Sequence, residues 1–168
     1  LQLTDVENRQ TQTLILSPTR ELCVQIAKDL TNYAKNIKGL NIVAVYGGAG
    51  IEGQIKELKK GAHIVVGTPG RTRDLINRKK LQPQNIKRLI LDEADEMLSM
   101  GFQEELDAIL EETPKEKLTY LFSATMPPEI IRITKKYMNN PEELAAAKQN
   151  TAAENVKHLY YMVHARDR

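Results

Sequence analysis

The chain has 168 residues, 41% hydrophobic and 27% charged, which is one domain's worth of material with ordinary globular composition. Lys and Arg total 24 against 22 Asp and Glu, so the net charge of +2 neither demands nor excludes nucleic acid, because a local basic groove can hide in a balanced total. The single cysteine excludes an internal disulfide and suits a reducing compartment such as the cytoplasm; no run approaches the roughly 18 apolar residues of a membrane helix, and no secretory leader is recognisable.

Short apolar runs alternate with helical patterns along the whole chain. Strands are expected at 13–17 (TLILS), 41–46 (NIVAVY), 63–67 (HIVVG), 87–92 (KRLILD), 118–123 (LTYLFS) and, more weakly, 143–147. Between them, apolar residues recur at helical spacing in Leu22/Ile26/Leu30, Ile51/Ile55/Leu58, Phe102/Leu106/Ile109 and Ile130/Thr134/Tyr137. Cys23 falls inside the first of these patterns and reads as a small packing residue rather than a nucleophile. The alternation predicts an α/β fold, a doubly wound parallel sheet with right-handed crossovers. From Gln149 to Glu154 the composition becomes linker-like, and Val156–Val163 (VKHLYYMV) reads as the opening strand of another domain. Residues 1–148 are therefore read as one domain and 149–168 as a linker and the start of a second. Beginning at Leu1 without Met and ending in HARDR, the sequence reads as a piece of a longer protein.

The chemistry is expected at the strand-to-helix junctions. The run Leu89-Ile90-Leu91 ends in three carboxylates, Asp92, Glu93 and Asp95, at the sheet edge where open α/β folds bind ligands. One acid there can hold a metal ion through water, and the next can orient or deprotonate an attacking water. Ser17-Pro18-Thr19-Arg20 and Thr68-Pro69-Gly70-Arg71 share a plan: a hydroxyl residue at the cap, Pro at the first helical position and an Arg beyond. A helix start offers free N–H groups and partial positive charge, and Arg adds a forked phosphate donor. Good helix capping with solvated Arg is the better account of either junction alone, and the recurrence of the pattern brings the phosphate-gripping reading level with it. Gly47-Gly48 ends a strand where a backbone could approach a ligand closely. Ser123-Ala124-Thr125 closes another; if that strand neighbours the carboxylates, its hydroxyls can hydrogen-bond Asp95.

Two familiar phosphate motifs fail on inspection. Gly48, Gly50 and Gly53 imitate a dinucleotide fingerprint, but the next strand ends in Gly67-Thr68 and not in the required acid. The same glycines imitate a P-loop, yet Gln54-Ile55 stand where Lys and Ser or Thr belong, and no Gly in the chain precedes a Lys. One cysteine and three scattered histidines (His63, His158, His164) exclude a Cys/His metal centre, and no nucleophile–His–acid signature is present.

Taken in order, PTREL (18–22), GG (47–48), TPGR (68–71), DEAD (92–95) and SAT (123–125) resemble the first, RecA-like domain of a DEAD-box RNA helicase. Gln54, Met97-Leu98, Gly101-Phe102 and Met126-Pro127 extend the likeness across roughly residues 10–150, and Thr72 and Arg73 depart from it where the family has apolar residues. The resemblance implies ATP and Mg²⁺ as cofactors, with Asp92 holding Mg²⁺ through water and Glu93 activating the hydrolytic water. It implies that Asp95, Ser123 and Thr125 link nucleotide state to RNA grip. Thr19, Arg20, Gly47, Gly48, Thr68, Gly70 and Arg71 would lie along the RNA sugar-phosphate backbone, a contact blind to sequence. A second helicase domain would be the partner that closes over ATP and RNA. In the family, the P-loop, its strand and an adenine-binding Gln motif lie just upstream of the point matching Leu1, so the sheet is expected to lack its P-loop strand. The chain is then a fragment of an ATP-dependent RNA helicase, inactive by itself; the alternative is an RNA- or partner-binding module without hydrolysis. A sheet missing an internal strand exposes an edge, and Val156–Val163 is expected to dock there or exchange with a second molecule, giving a domain-swapped homo-oligomer.

Overall fold

In the computed structural model, residues 1–145 are described. Five short strands, β1 (Thr13–Leu16), β2 (Ile42–Val45), β3 (Ile64–Gly67), β4 (Arg88–Leu91) and β5 (Leu118–Leu121), form one all-parallel sheet in the order β2-β3-β1-β4-β5. Each expected strand among the first five is present, slightly shorter than its apolar run. β1 and β3 are buried along their full length because helices cover both faces of the sheet centre, so their sequences run apolar without alternation.

Among the described residues six α-helices lie between or after these strands: α1 (Arg20–Tyr33), α2 (Ile51–Lys59), α3 (Pro69–Asn77), α4 (Ala94–Ser99), α5 (Gln103–Glu112) and, after β5, α6 (Pro128–Tyr137). The crossover from β1 to β2 runs against the direction of all the later ones, so α1 lies alone on one face of the sheet. Its Cys23, Ile26, Ala27 and Leu30 pack on Ile15, Ile64 and Val66. The other face carries the larger core, where Leu14, Leu16, Val65, Leu89 and Leu91 meet Leu75, Met97, Leu106, Ile109, Ile130 and Ile133. α6 is pinned to α5 by Arg132, which donates to both oxygens of Asp107 at 3.1 and 2.8 Å, and by the Tyr137 hydroxyl at 2.8 Å.

The pairing register matters most for function. Leu16 lies level with Gly67 and with Leu91, Val45 with Gly67, and Leu91 with Leu121. All five strands therefore end in one row, and the segments that follow them form a single crest.

The sixth expected strand is not formed at residues 143–145, and 146–147 lie outside the described residues. A strand exists only by pairing, and no described strand lies beyond β5 to receive this one; Leu144 there is 93% exposed. The linker at 149–154 and the strand-like Val156–Val163 also lie outside the described residues. Among the described residues β5 is thus the edge strand, with Leu118, Tyr120 and Phe122 exposed on one face. His63 is structural: its Nδ1 accepts from the Asn41 N–H at 3.0 Å and its Nε2 meets the Val6 carbonyl at 3.1 Å.

Candidate functional site

Along the crest, the junctions stand in the order Tyr46-Gly47-Gly48, Thr68-Pro69-Gly70-Arg71, Ser17-Pro18-Thr19-Arg20, Asp92-Glu93 and Phe122-Ser123-Ala124-Thr125. The segments suited to an anion occupy three adjacent strands, and the carboxylates occupy the next. Backbone bonds continue beyond the strands and tie neighbours together. Thr68 N–H reaches the Val45 carbonyl at 3.0 Å, Ser17 N–H the Gly67 carbonyl at 3.1 Å, and Asp92 N–H the Leu16 carbonyl at 2.9 Å. Phe122 N–H reaches the Leu91 carbonyl at 2.8 Å, and Ala94 N–H the Phe122 carbonyl at 3.0 Å.

That ladder corrects one expectation. Ser17 does not cap α1, and Pro18 is not its first residue, because Ser17 is still held in the sheet. Thr19 caps instead, its hydroxyl accepting from the Leu22 N–H at 3.2 Å, and the helix begins at Arg20. The Ser17 hydroxyl faces the buried Cys23 sulfur at 3.0 Å; burial pushes that thiol up, well away from a reactive thiolate. At the second junction Thr68 does stand at the cap position with Pro69 first in the helix, but its hydroxyl makes no capping bond. Gly67 just before it has no room for a Cβ between Val45 and Thr72, which brings α3 close against the strand end.

The Gly47-Gly48 turn is open: a Cβ at either residue would meet nothing, and Gly48 has φ +74°. Arg20 lies over the Tyr46 ring, 5.0 Å from its centroid. Arg71 is part-buried and faces the turn, donating to the Gln54 side chain at 2.9 Å and to the Ala49 carbonyl at 3.0 Å. Sequence reasoning had Gln54 as a framing residue of the family pattern and as a break in the P-loop likeness, and did not single out Tyr46 or Ala49. A usable signal was present, since Gln54 is a polar residue on the apolar face Ile51/Ile55/Leu58 of α2.

At the other end of the crest, Glu93 adopts a left-handed conformation, φ 51° and ψ 52°, which few residues other than glycine take without strain. This turn lets α4 start at once after β4, leaves the Glu93 side chain exposed beside part-buried Asp92, and brings Asp95 round toward β5. Because β5 pairs with β4, the condition set for the Ser123-Ala124-Thr125 segment is met. Thr125 donates to one Asp95 oxygen from its hydroxyl at 2.7 Å and from its backbone N–H at 2.9 Å. The Ser123 hydroxyl accepts from the Asp95 N–H at 3.2 Å and donates to the Thr125 carbonyl at 2.6 Å. Partial burial raises the Asp95 pKa, but the hydrogen bonds from Thr125, Ser123 and the 124–125 backbone outweigh it, and the net shift is downward.

Among the described residues no cluster of three His, Cys, Asp or Glu side chains could form a metal cage. What Asp92 and Glu93 offer is a hard-oxygen edge, which fits a Mg²⁺ ion that keeps most of its water and is shared with a phosphate. The phosphate cradle that would complete a nucleotide site is not among the 168 residues, since no Gly-Lys pair occurs in them. The carboxylate half of such a site fits; the phosphate half is not supplied by this chain.

The sequence model of the DEAD/DEAH box helicase family matches residues 1–133. The chain is 50% identical over 157 residues, 94% of its length, to the DEAD-box ATP-dependent RNA helicase CshA of Streptococcus pneumoniae, and covers 30% of that protein. It is 44% identical over 163 residues to the ATP-dependent RNA helicase DeaD of Escherichia coli, covering 97% of this chain and 26% of that one. Among solved structures, a DEAD box protein from the hyperthermophile Methanococcus jannaschii superposes with a TM-score of 0.77 at 50% identity, over 82% of this chain and 37% of the other. The chain thus spans about a third or less of the length of the curated relatives it matches.

Proposed function

The chain belongs to the DEAD/DEAH box helicase family, and from that membership we propose that it forms the first RecA-like half of an ATP-dependent RNA helicase. The observation that supports this most directly is the level crest, on which three anion-suited junctions lie side by side and the carboxylates follow on the next strand. Residues 1–148 constitute this half, and 149–168 lead into a second helicase domain. Thr19, Arg20, Gly47, Gly48, Thr68, Gly70 and Arg71 form the grip on an RNA sugar-phosphate backbone, reading no bases. Asp92 holds Mg²⁺ through water and Glu93 takes the proton of the attacking water. Bound ATP with its Mg²⁺ supplies a phosphoryl group whose transfer relies on positioning and charge stabilisation. Asp95, Ser123 and Thr125 tie the end of the acidic segment to β5, so that a shift at one is felt at the other. Among the described residues no helix is long and apolar enough to cross a membrane, and the single cysteine suits work in the cytoplasm.

Alone, the 168-residue chain performs no RNA-stimulated ATP hydrolysis. A missing electrostatic donor can lower a rate about 10²–10³-fold, and here Gly-Lys, its cradle and the second domain are all outside the chain. A phosphate-release assay that finds turnover, abolished by Glu93→Gln, would overturn this. The same chain binds single-stranded RNA weakly, with steep salt dependence and little sequence preference. In titrations with several oligonucleotides, Arg20→Ala with Arg71→Ala weakens all of them alike; unchanged binding would move the grip elsewhere. The absence of a Gly-Lys pair also favours a second reading, RNA or partner binding without hydrolysis. RNA binding by the chain joined to a P-loop-bearing segment, still without turnover, would select it.

A further inference from the structure

The Gly47-Gly48 turn is held from behind by two side chains on different helices. Gln54, on α2, is only 8% exposed. Its Oε1 accepts from the Tyr46 N–H at 3.2 Å and from Arg71 Nη1 at 2.9 Å, while its Nε2 donates to the Tyr46 carbonyl at 3.0 Å. Arg71, on the first turn of α3, sends Nη2 to the Ala49 carbonyl at 3.0 Å. The amide has only one workable orientation. Reversed, its NH₂ would face two donors and its oxygen a carbonyl, leaving partly buried polar groups unpaired.

Two adjacent glycines lose more freedom on ordering than any other pair, so this turn would bind a ligand only at an entropic cost unless something fixed it first. Gln54 and Arg71 fix both sides of it. The guanidinium spends its two Nη groups on the turn, one through Gln54 and one directly. Arg20 stands differently: it is exposed and seated on the ring of Tyr46, the residue whose backbone Gln54 clamps.

We propose that Arg71 and Gln54 are positioning residues that brace the 46–49 turn for RNA, and that Arg20 rather than Arg71 carries the phosphate-neutralising charge. This rests on the RNA reading given above and separates two arginines that the motif pattern treats alike. Each bridging bond runs between α2, α3 and the turn, so losing either partner frees the same backbone. The effects of the two losses therefore overlap instead of adding.

The test is titration of the 168-residue chain with oligouridylate across a range of salt, beside amide hydrogen exchange without RNA. Arg20→Ala lowers the slope of log K against log salt by about 0.7, as expected for one lost phosphate contact on a single strand. Arg71→Ala and the charge-neutral Gln54→Leu each weaken binding about 5–10-fold, the size of one net hydrogen bond, and leave that slope unchanged. Together they weaken it no more than either alone, and Arg71→Lys does not restore it, because one ammonium cannot span both acceptors. A slope that falls as far in Arg71→Ala as in Arg20→Ala makes Arg71 a phosphate ligand and overturns the assignment. In the exchange arm, both brace variants speed exchange of the Tyr46 amide about fivefold or more, while β1 and β4 amides stay protected. Unchanged exchange at Tyr46 sinks the brace. If the unmodified chain does not bind oligouridylate, the RNA reading falls, and the exchange arm still decides whether the brace exists.

Discussion

Removing the Thr125 hydroxyl, by Thr125→Val, takes one of two donors from a single Asp95 oxygen and leaves the backbone N–H at 2.9 Å in place. A hydrogen bond to a charged group contributes about 1.5–3 kcal/mol when sheltered; Thr125 is exposed, so water replaces part of it and the expected loss is about 0.5–1 kcal/mol. For a chain of this size, that lowers the melting temperature by roughly 1–4 °C at neutral pH. The sign of the pH dependence follows from the direction of the shift. Partial burial works to raise the Asp95 pKa, but hydrogen bonds from Thr125, Ser123 and the 124–125 backbone leave it below its unfolded value. Its contribution to stability is therefore fully present above the ordinary aspartate pKa and is lost as pH falls through the depressed folded one. In Thr125→Val the Asp95 carboxyl, followed by carbon-detected NMR, titrates at higher pH than in the parent chain, and the melting difference between the two narrows in acid. An identical titration midpoint in the two proteins would refute the assignment of the shift to this hydroxyl.

Thr72→Val, which replaces a fully buried hydroxyl that has no hydrogen-bond partner among the described residues by an isosteric methyl, stabilises the chain by about 1–3 kcal/mol in denaturant titrations; a lower midpoint would mean the hydroxyl is bonded. Asp107→Ala takes the carboxylate from Arg132 and leaves the Tyr137 hydroxyl only its longer 3.4 Å bond to Glu111, and is expected to lower stability by about 1–2 kcal/mol. Undiminished melting temperature would show that water replaces the carboxylate at no cost. The edge of β5, with Leu118, Tyr120 and Phe122 exposed, is expected to recruit another strand, from the same chain or from a second molecule. Exchange between molecules gives a light-scattering dimer that Tyr120→Lys weakens, docking within one chain gives a monomer with protected β5 amides, and a strict monomer with unprotected β5 amides would end the idea.

The strands and their order of chemistry were legible because parallel strands buried on both faces read as plain apolar runs, and the carboxylates interrupt one of them sharply. The pairing of Asp95 with Thr125 was legible as a condition, since it needed only β4 and β5 to be neighbours. What was not legible depends on distant partners. Ser17 lost the cap to Thr19 because the Gly67 carbonyl, fifty positions away, extends the ladder past Leu16. The left-handed turn at Glu93 has no local signal, as no Gly or Asn stands there to announce it. Gln54 was legible only through the family pattern, its bracing bonds appearing once three segments met around it, and the weak run at 143–147 forms no strand over its described residues 143–145.

The crest is also an electrostatic arrangement. Neighbouring strands stand about 4.8 Å apart, so the acids after β4 lie within a Debye length of the Thr19-Arg20 junction on β1 at physiological salt. An RNA phosphate seated there would feel Asp92 and Glu93 as like charges across a surface tied together by the inter-junction hydrogen bonds. A divalent cation on Asp92 would offset that repulsion without moving any backbone. On the proposed reading, the sheet would couple the nucleotide end to the RNA end through charge alone. The Asp95–Thr125 bond adds a mechanical link on the opposite side of the same carboxylates, toward β5. The acids stand between two strands, one bearing an anion-suited junction and one bearing the hydroxyls that hold Asp95, so on the proposed reading one occupied site would be sensed in both directions.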